Sequence, residues 1–552
     1  MNICYYGGMK SIVMVCVQKA RSLSLEEWGM IVFGASFLIG VWYAFPMVNT
    51  ITDVWAFGGG VLRAMEAHTL LPLGGDVLYG TISFYENYLF MAIALGVGFI
   101  VTGFDMGAVK TAFILNPSYS LLVPRIVSAL TAMVFLFAVY RFLRSIVQER
   151  WWRLALLALL FGNVITIFLA RSGKMWILSM TLVTISFIFL HRSLSKEREQ
   201  GIPGRYAFIS IITTALATAN FAFAALFFVC VPIIFFAFPK TWAVFRRLAY
   251  MTLAGFGVVF AVFLLNAENI IGQVSGFLPD FLTSGAKSVL VPTEGTLSLF
   301  ESVLLKTRHS IEAFPLLLLA LIPAIRAGVR DRTLAFLAAF YGILYMSVLV
   351  FIFRADHDIA LNVRQVFPFG IFLTFFLAAF HPPRKCISVT LLSVSVLLYL
   401  YTVVLLSVPA TYNNAYKYVV KNYGNADIRI EEHIFEFMLP MNKASYELFA
   451  DSACASTCRY RRSLDTDIDF RPTVITDETD PLLVRDAPPD LIITEHAISG
   501  CTPLARFGNP VPDNEVFDID INLGRMLIPS FYKLGQLGKN LYVYDSATCA
   551  EI

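Results

Sequence analysis

A polytopic α-helical membrane protein of about eleven transmembrane helices, followed by a C-terminal soluble α/β domain, is the fold class this chain predicts. Three observations predict it. Of the 552 residues, 57% are hydrophobic and only 15% charged, with a mean hydropathy of +0.70, a balance that water-soluble domains do not reach. Apolar runs long enough to cross about 30 Å of hydrocarbon recur along the first three quarters of the chain. Hydropathy then falls after residue 408, and the polar stretch 409–552 is long enough for a separate small domain. The net charge of +3 is spread too thinly to indicate a nucleic-acid partner.

The elements follow in order. Residues 1–27 hold a weak apolar stretch broken by Lys19 and Arg21, without a small-residue cleavage site, which predicts a retained cytoplasmic segment. Crossings are expected at Trp28 to Met47, Arg125 to Tyr140, Leu154 to Ala170 and Met175 to His191. The apolar run from Tyr206 to Phe238 is best split near Asn220 into two short helices. Further crossings follow at Leu248 to Asn266, Phe314 to Ala327, Leu334 to Phe353, Phe367 to Phe380 and Ile387 to Val408.

Basic connections recur at every second turn of this path: RFLRSIVQERWWR, HRSLSKEREQGIPGR, PKTWAVFRR, RAGVRDR and HPPRK. Lys and Arg are retained on the cytoplasmic side, so these five loops and the N-terminus are expected there. The transmembrane domain 28–408 then carries a long first external loop, 48–124, and the α/β domain 409–552 faces the periplasm or exterior of an inner, or cell, membrane. The same parity makes the apolar stretch 88–104 re-entrant or interfacial. Within the first loop Val54, Phe57, Val61, Leu62 and Met65 share one helical face, the pattern of a surface helix.

Four of the eight cysteines, Cys454, Cys458, Cys501 and Cys549, lie in the polar tail. An even number in an external domain predicts two disulfides, of which 454 with 458 and 501 with 549 is the local pairing. No zinc spacing is present. No Asn-x-Ser/Thr acceptor occurs apart from one blocked by Pro117, which favours a bacterial envelope. In the tail, a helical NNAYKYVVKNY precedes short β-type runs, PTVIT, DLIIT and NLYVYD.

Proton relays and ion ligands of transporters require ionisable groups at mid-membrane, and the eleven apolar cores carry no Asp, Glu or Lys. Charge gathers instead at the external ends: Arg125, Arg171, Lys174, Lys287, Lys306, Arg308, Arg354 and Arg364, with His357. Arg offers a planar fork that matches phosphate oxygens, so an anionic partner is expected here; lipid head groups are the bland candidate.

Three stretches carry a resemblance: TDVWAFGGGVLRAMEAHTLLPLGGDVLYG in the first external loop, PRIVSALTAMVFLFAVYRFLRSI at 124–146 and RADHDIALNVRQVFPFG at 354–370. Their order resembles the GT-C glycosyltransferases that use a polyprenyl-phosphate-linked sugar, including the protein mannosyltransferase and lipid A aminoarabinose transferase branches. The resemblance implies an inverting transferase moving a sugar from a polyprenyl-phosphate donor lipid to a glycan, lipid or protein acceptor. It implies that Asp53 is the general base and that Arg364, in RQVFPF, binds the donor phosphate. Arg354, His357, Lys174 and Arg171 are weaker phosphate candidates, and Asp76 and Glu86 are loop candidates for the acceptor. Asp53 alternatively N-caps the surface helix. The first loop has Val54 where protein mannosyltransferases carry a second acid, and RSGKMW has no carboxylate, which leaves acceptor class and divalent metal open. The alternatives are a lipid-linked oligosaccharide ligase or polymerase, and a non-catalytic lipid-binding or transport protein.

Overall fold

The structure is a computed structural model and describes residues 24–42, 52–73, 80–115, 118–267, 271, 297–352, 363–409, 411–423, 427–430, 473–476, 490–494, 497–508 and 540–549. Its helices, in chain order, are α1 (Leu25–Ala35), α2 (Thr52–Glu66), α3 (Thr81–Val101), α4 (Met106–Leu115), α5 (Ser118–Ile146), α6 (Arg150–Phe161), α7 (Val164–Leu169), α8 (Trp176–Arg192) and α9 (Arg205–Asn220). They continue with α10 (Cys230–Ala237), α11 (Trp242–Leu264), α12 (Leu299–Ala313), α13 (Pro315–Ala327), α14 (Arg332–Ile352), α15 (Phe367–Ala378), α16 (Lys385–Ser407) and α17 (Thr411–Asn422).

Six stretches among the described residues are long and apolar enough to cross a bilayer: Thr81–Val101, Tyr119–Ile146, Trp176–Gln200, Trp242–Leu264, Arg332–Phe351 and Lys385–Ser407. A seventh is added if α12 and α13, bent by 87°, count as one broken span. Together with the composition this makes a multi-pass membrane protein. The count is lower than the eleven expected because polar residues break several apolar runs. Asn163 ends the α6 run after Gly162 and caps α7, its side chain accepting from the Ile165 amide at 2.9 Å. Helix α1 passes into a short 3-10 turn, Ser36–Leu38, and the run after Tyr206 ends its first helix at Asn220, where the split was expected. Most of the stretch 88–104 forms the body and end of one helix, α3, which stops at Val101 and as a whole is long and apolar enough to cross a bilayer.

The five basic connections gather at one end of the bundle. Arg153 grips Glu26 through both oxygens at 2.8 and 2.7 Å, and Arg144 meets Glu27 at 2.6 Å, which ties the start of α1 to α5 and α6. Hydrogen bonds from Ser24 and the Arg144 guanidinium hold the Glu27 carboxyl down at about 2. Lys385 lies over Trp151, the His381 amide donates to the Gly328 carbonyl, and His191 meets Asp331 at 3.1 Å. That His191 contact holds the Asp331 carboxyl below its usual range.

The core is aromatic and close packed: Phe187 stacks on Phe375 at 5.0 Å and Phe227 on Tyr341 at 5.5 Å. Helices α8 and α9 are also joined by Ser186, within 2.8 Å of the Ser210 carbonyl and 2.6 Å of the Thr214 hydroxyl, the interhelical bonding that low-dielectric bundles use. The polar tail forms a five-stranded sheet of β1 (Asp427–Ile430), β2 (Thr473–Thr476), β3 (Leu491–Thr494), β4 (Ala505–Phe507) and β5 (Leu541–Asp545) in the order β2-β1-β3-β5-β4. The pairs of β1 with β2 and β3 are parallel, and those of β5 with β3 and β4 antiparallel. A Cys501–Cys549 disulfide closes the far side of this sheet, with Cα atoms 5.7 Å apart. It is the expected pairing; Cys454 and Cys458 lie outside the described residues.

Candidate active site

At the end of the bundle away from the basic connections, four segments meet. The amphipathic helix expected in the first loop is α2. It buries Phe57, Val61 and Ala64 and packs on α5 so closely that a side chain at Gly58 would strike the Ser120 carbonyl. Asp53 lies in the first turn of α2, one turn ahead of Phe57; its side chain is outside the described residues. Phe57 in turn lies against Gly80, which also touches Met175, so the start of α2 sits beside the RSGKMW loop.

That loop is held from three sides. Asn220 accepts from the Ser83 amide at 2.9 Å and donates to Ser179 at 2.8 Å, joining α3, α8 and α9. Ser128 of α5 donates to the Lys174 carbonyl at 3.4 Å. Arg171 is fully buried, and its guanidinium donates to the carbonyls of Ile39 at 2.7 Å, Ser36 at 2.9 Å and Ile167 at 3.0 Å. Those first two carbonyls belong to the 3-10 turn that follows α1 and to the residue just after it; the Ser36 carbonyl also accepts from the Ile39 amide at 3.0 Å. Arg171 therefore serves as a backbone clamp. Arg125, also fully buried, does similar work on the Val41 carbonyl at 3.1 Å, and Lys174 is buried beside them.

The third and fourth segments are α12 and the 3-10 turn Val363–Val366. Arg364 lies over the Trp176 ring, 5.8 Å from its centroid, and so faces the residue two places after Lys174. Its neighbour Gln365 is buried and accepts from the Lys306 ammonium at 2.9 Å, while the Gln365 carbonyl accepts from the Tyr345 hydroxyl at 2.9 Å. Lys306 is fully buried on the inner face of α12. One turn on, His309 is buried too, and its Nδ1 has no hydrogen-bond partner. The direction of α12 is set at Phe314, whose ring fills the place where a side chain at residue 370 would stand, so α15 needs Gly370 there.

A groove of about 420 Å³ runs between α12 and α14 and is lined by Leu299, Val303, Ile343, Met346 and Phe369, with Lys306 its charged member. Its size falls within the usual range for small-molecule sites. A mostly apolar groove with one buried cation in its wall suits an amphiphile with an anionic head.

Arg364, Lys174, Arg171 and Asp53 thus gather in one region, along with Arg125 and Lys306 from the wider set of external cations. Glu86 stands elsewhere than expected: it lies in the second turn of α3, not in a loop, and accepts from Thr131 of α5 at 2.7 Å. The reason is that the helix begins at Thr81, well before the apolar run. Arg354, His357, Asp76 and Lys287 are outside the described residues. Sequence reasoning missed Gln365 and His309. The only available signal was their position beside Arg364 and Lys306. Among the described residues no group of three His, Cys, Asp or Glu is placed to hold a metal.

The fold and site define a multi-pass helical membrane protein with buried cations beside an apolar groove. No protein-family model matches the chain, and no curated protein does. Among solved structures it is similar to ArnT from Cupriavidus metallidurans bound to undecaprenyl phosphate, at 12% identity and a TM-score of 0.43, and to the same protein in the apo state, at 13% and 0.38. Each likeness covers 64% of this chain and 60% of the other, so the match spans under two thirds of those proteins.

Proposed function

We propose that this protein is an inverting glycosyltransferase acting on the external face of the cell (inner) membrane, taking a sugar from a polyprenyl-phosphate lipid and transferring it to an envelope acceptor. The observation that carries this reading is the mostly apolar groove with Lys306 in its wall, one hydrogen bond from the turn that holds Arg364. A prenyl chain suits the groove, and a phosphate at its end suits Lys306 and Arg364.

In this mechanism Asp53 takes the proton of the acceptor hydroxyl, and that oxygen attacks the anomeric carbon from the face opposite the phosphate. The bond from carbon to phosphate oxygen breaks, the electron pair leaves with the phosphate, and the configuration inverts. Arg364 and Lys306 stabilise the charge that grows on the leaving group, where fixed donors act most strongly. The orientation follows from the basic end, which the positive-inside rule assigns to the cytoplasm. Periplasmic placement of the disulfide-bonded α/β domain accords with the compartments in which disulfides persist.

The test is donor binding by native mass spectrometry with a polyprenyl monophosphate, comparing the unaltered chain with Arg364→Ala and Asp53→Asn. Binding is expected to fall with Arg364→Ala and persist with Asp53→Asn. No binding to the unaltered chain in lipid excess would overturn the reading, and preference for a pyrophosphate-linked oligosaccharide would replace it with a ligase.

A further inference from the structure

At the basic end, most cations with a carboxylate in reach are ion-paired: Arg144, Arg150 and Arg153 with Glu26 and Glu27, and His191 with Asp331. The corner built by the end of α8, the start of α9 and the turn into α11 gathers five further cations. Arg192, Lys196, Arg198, Arg205 and Lys240 stand there, and none forms an ion pair among the described residues. The nearby Glu197 is buried and already committed to the Ser193 hydroxyl and the amides of Tyr206 and Ala207, at 2.8, 2.8 and 3.2 Å. Glu199 is the exposed carboxylate of this stretch.

Three of the cations converge. Arg205 donates to the Tyr206 hydroxyl at 3.0 Å and lies over that ring at 4.9 Å. Arg192 lies over Phe189 at 5.4 Å, and the Phe189 and Tyr206 rings are 6.0 Å apart. Lys196 follows Arg192 by four residues along the π turn that continues α8, which puts the two cations on one side of that helix end. Beside them the surface turns apolar: Ile202, Phe208, Phe245 and Trp242 are exposed, Trp242 by 72%, and Trp242 stacks on Phe245 at 5.4 Å. Exposed indole and phenyl rings under a cationic rim mark the level of lipid head groups.

We propose that Arg192, Lys196 and Arg205, on the adjoining end of α8 and start of α9 beside the Phe189 and Tyr206 rings, bind the phosphate of an anionic phospholipid on the basic face of the membrane. The hydroxyl and the guanidinium forks supply donors to phosphate oxygens, and the acyl chains run down the apolar flank past Phe208. The ligand is a lipid and not a free anion because the cluster borders that flank. The proposal is independent of the transferase reading and concerns the opposite end of the bundle.

The experiment mixes the purified full-length protein with equal amounts of phosphatidylglycerol and phosphatidylcholine in detergent and counts bound lipid by native mass spectrometry. The unaltered chain is expected to retain phosphatidylglycerol, with preference falling roughly fivefold for each cation removed. The Arg192→Gln, Lys196→Gln, Arg205→Gln triple variant should therefore bind both lipids alike. An Arg246→Gln, Arg247→Gln control on the exposed first turns of α11 should keep the preference. Lys196→Gln alone, an exposed change, gives the single step if the triple variant aggregates. Equal losses in triple variant and control would overturn the proposal as general attraction to a basic face. Absence of preference in the unaltered chain, or full displacement by inorganic phosphate, would overturn it as well.

Discussion

Two buried cations near the same site are expected to respond in opposite ways to removal of charge. Arg171 spends its guanidinium on the carbonyls of Ser36, Ile39 and Ile167. Arg171→Met leaves the Ile39 and Ile167 carbonyls without that donor and the Ser36 carbonyl with the Ile39 amide, at about 1 kcal/mol or more for each bond lost, so thermal unfolding in detergent should show a loss of about 2–3 kcal/mol. Lys306 instead donates to the Gln365 side chain and borders the groove. Lys306→Met should leave stability within about 1 kcal/mol, since Met suits a half-apolar wall, but weaken polyprenyl-phosphate binding roughly 10- to 100-fold. If both variants changed binding alike with stability intact, the division between clamp and ligand contact would fail. Asp53→Asn tests the base: turnover should fall roughly 10²- to 10⁴-fold with donor binding kept, and near-normal turnover would remove Asp53 from the mechanism.

At the scale of elements, periodicity and caps made much of this bundle legible. The helix in the first loop, the helices around 125–140 and 175–191, and the break at Asn220 all follow from apolar spacing ended by polar or turn-forming residues. Strands β2, β3 and β5 match the runs PTVIT, DLIIT and NLYVYD, while β1 and β4 were missed because DIRI and ARF are too short and polar to show alternation. Glu86 was read as a loop residue because the apolar pattern begins only after it, though the helix starts five residues earlier. The break between α12 and α13 falls where Pro315 opens α13; what was illegible is that Phe314 at this bend fills the space over Gly370, a contact between distant segments. Gly370→Ala would force that ring aside, and overpacking of this kind costs about 1–3 kcal/mol. Because the bend aims α12, the same variant should also weaken lipid binding at Lys306. A Gly370→Ala protein with unchanged melting and unchanged binding would show that this contact does not hold the bend.

For the whole molecule, the proposed direction of insertion is tested by where charge, cysteine chemistry and the C-terminal domain lie. Helix α16 starts at Lys385 in the basic end and finishes at Ser407, whose carbonyl accepts from Trp42 at 3.4 Å; its 23 residues extend about 35 Å. The α/β domain therefore begins at the end that holds Lys174 and Arg364. Cys386, exposed in the first turn of α16, is unpaired, whereas Cys501 and Cys549 beyond the other end are joined. That division is what a reducing interior and an oxidising exterior produce. In a chain with Cys4, Cys16, Cys454 and Cys458 changed to Ser, a membrane-impermeant maleimide should label Cys386 only in inverted vesicles. After external reduction, right-side-out vesicles should label at Cys501 and Cys549. Labelling of Cys386 from outside would reverse the topology, turning the groove, Asp53 and the sugar transfer towards the cytoplasm, and the envelope acceptor would have to be abandoned.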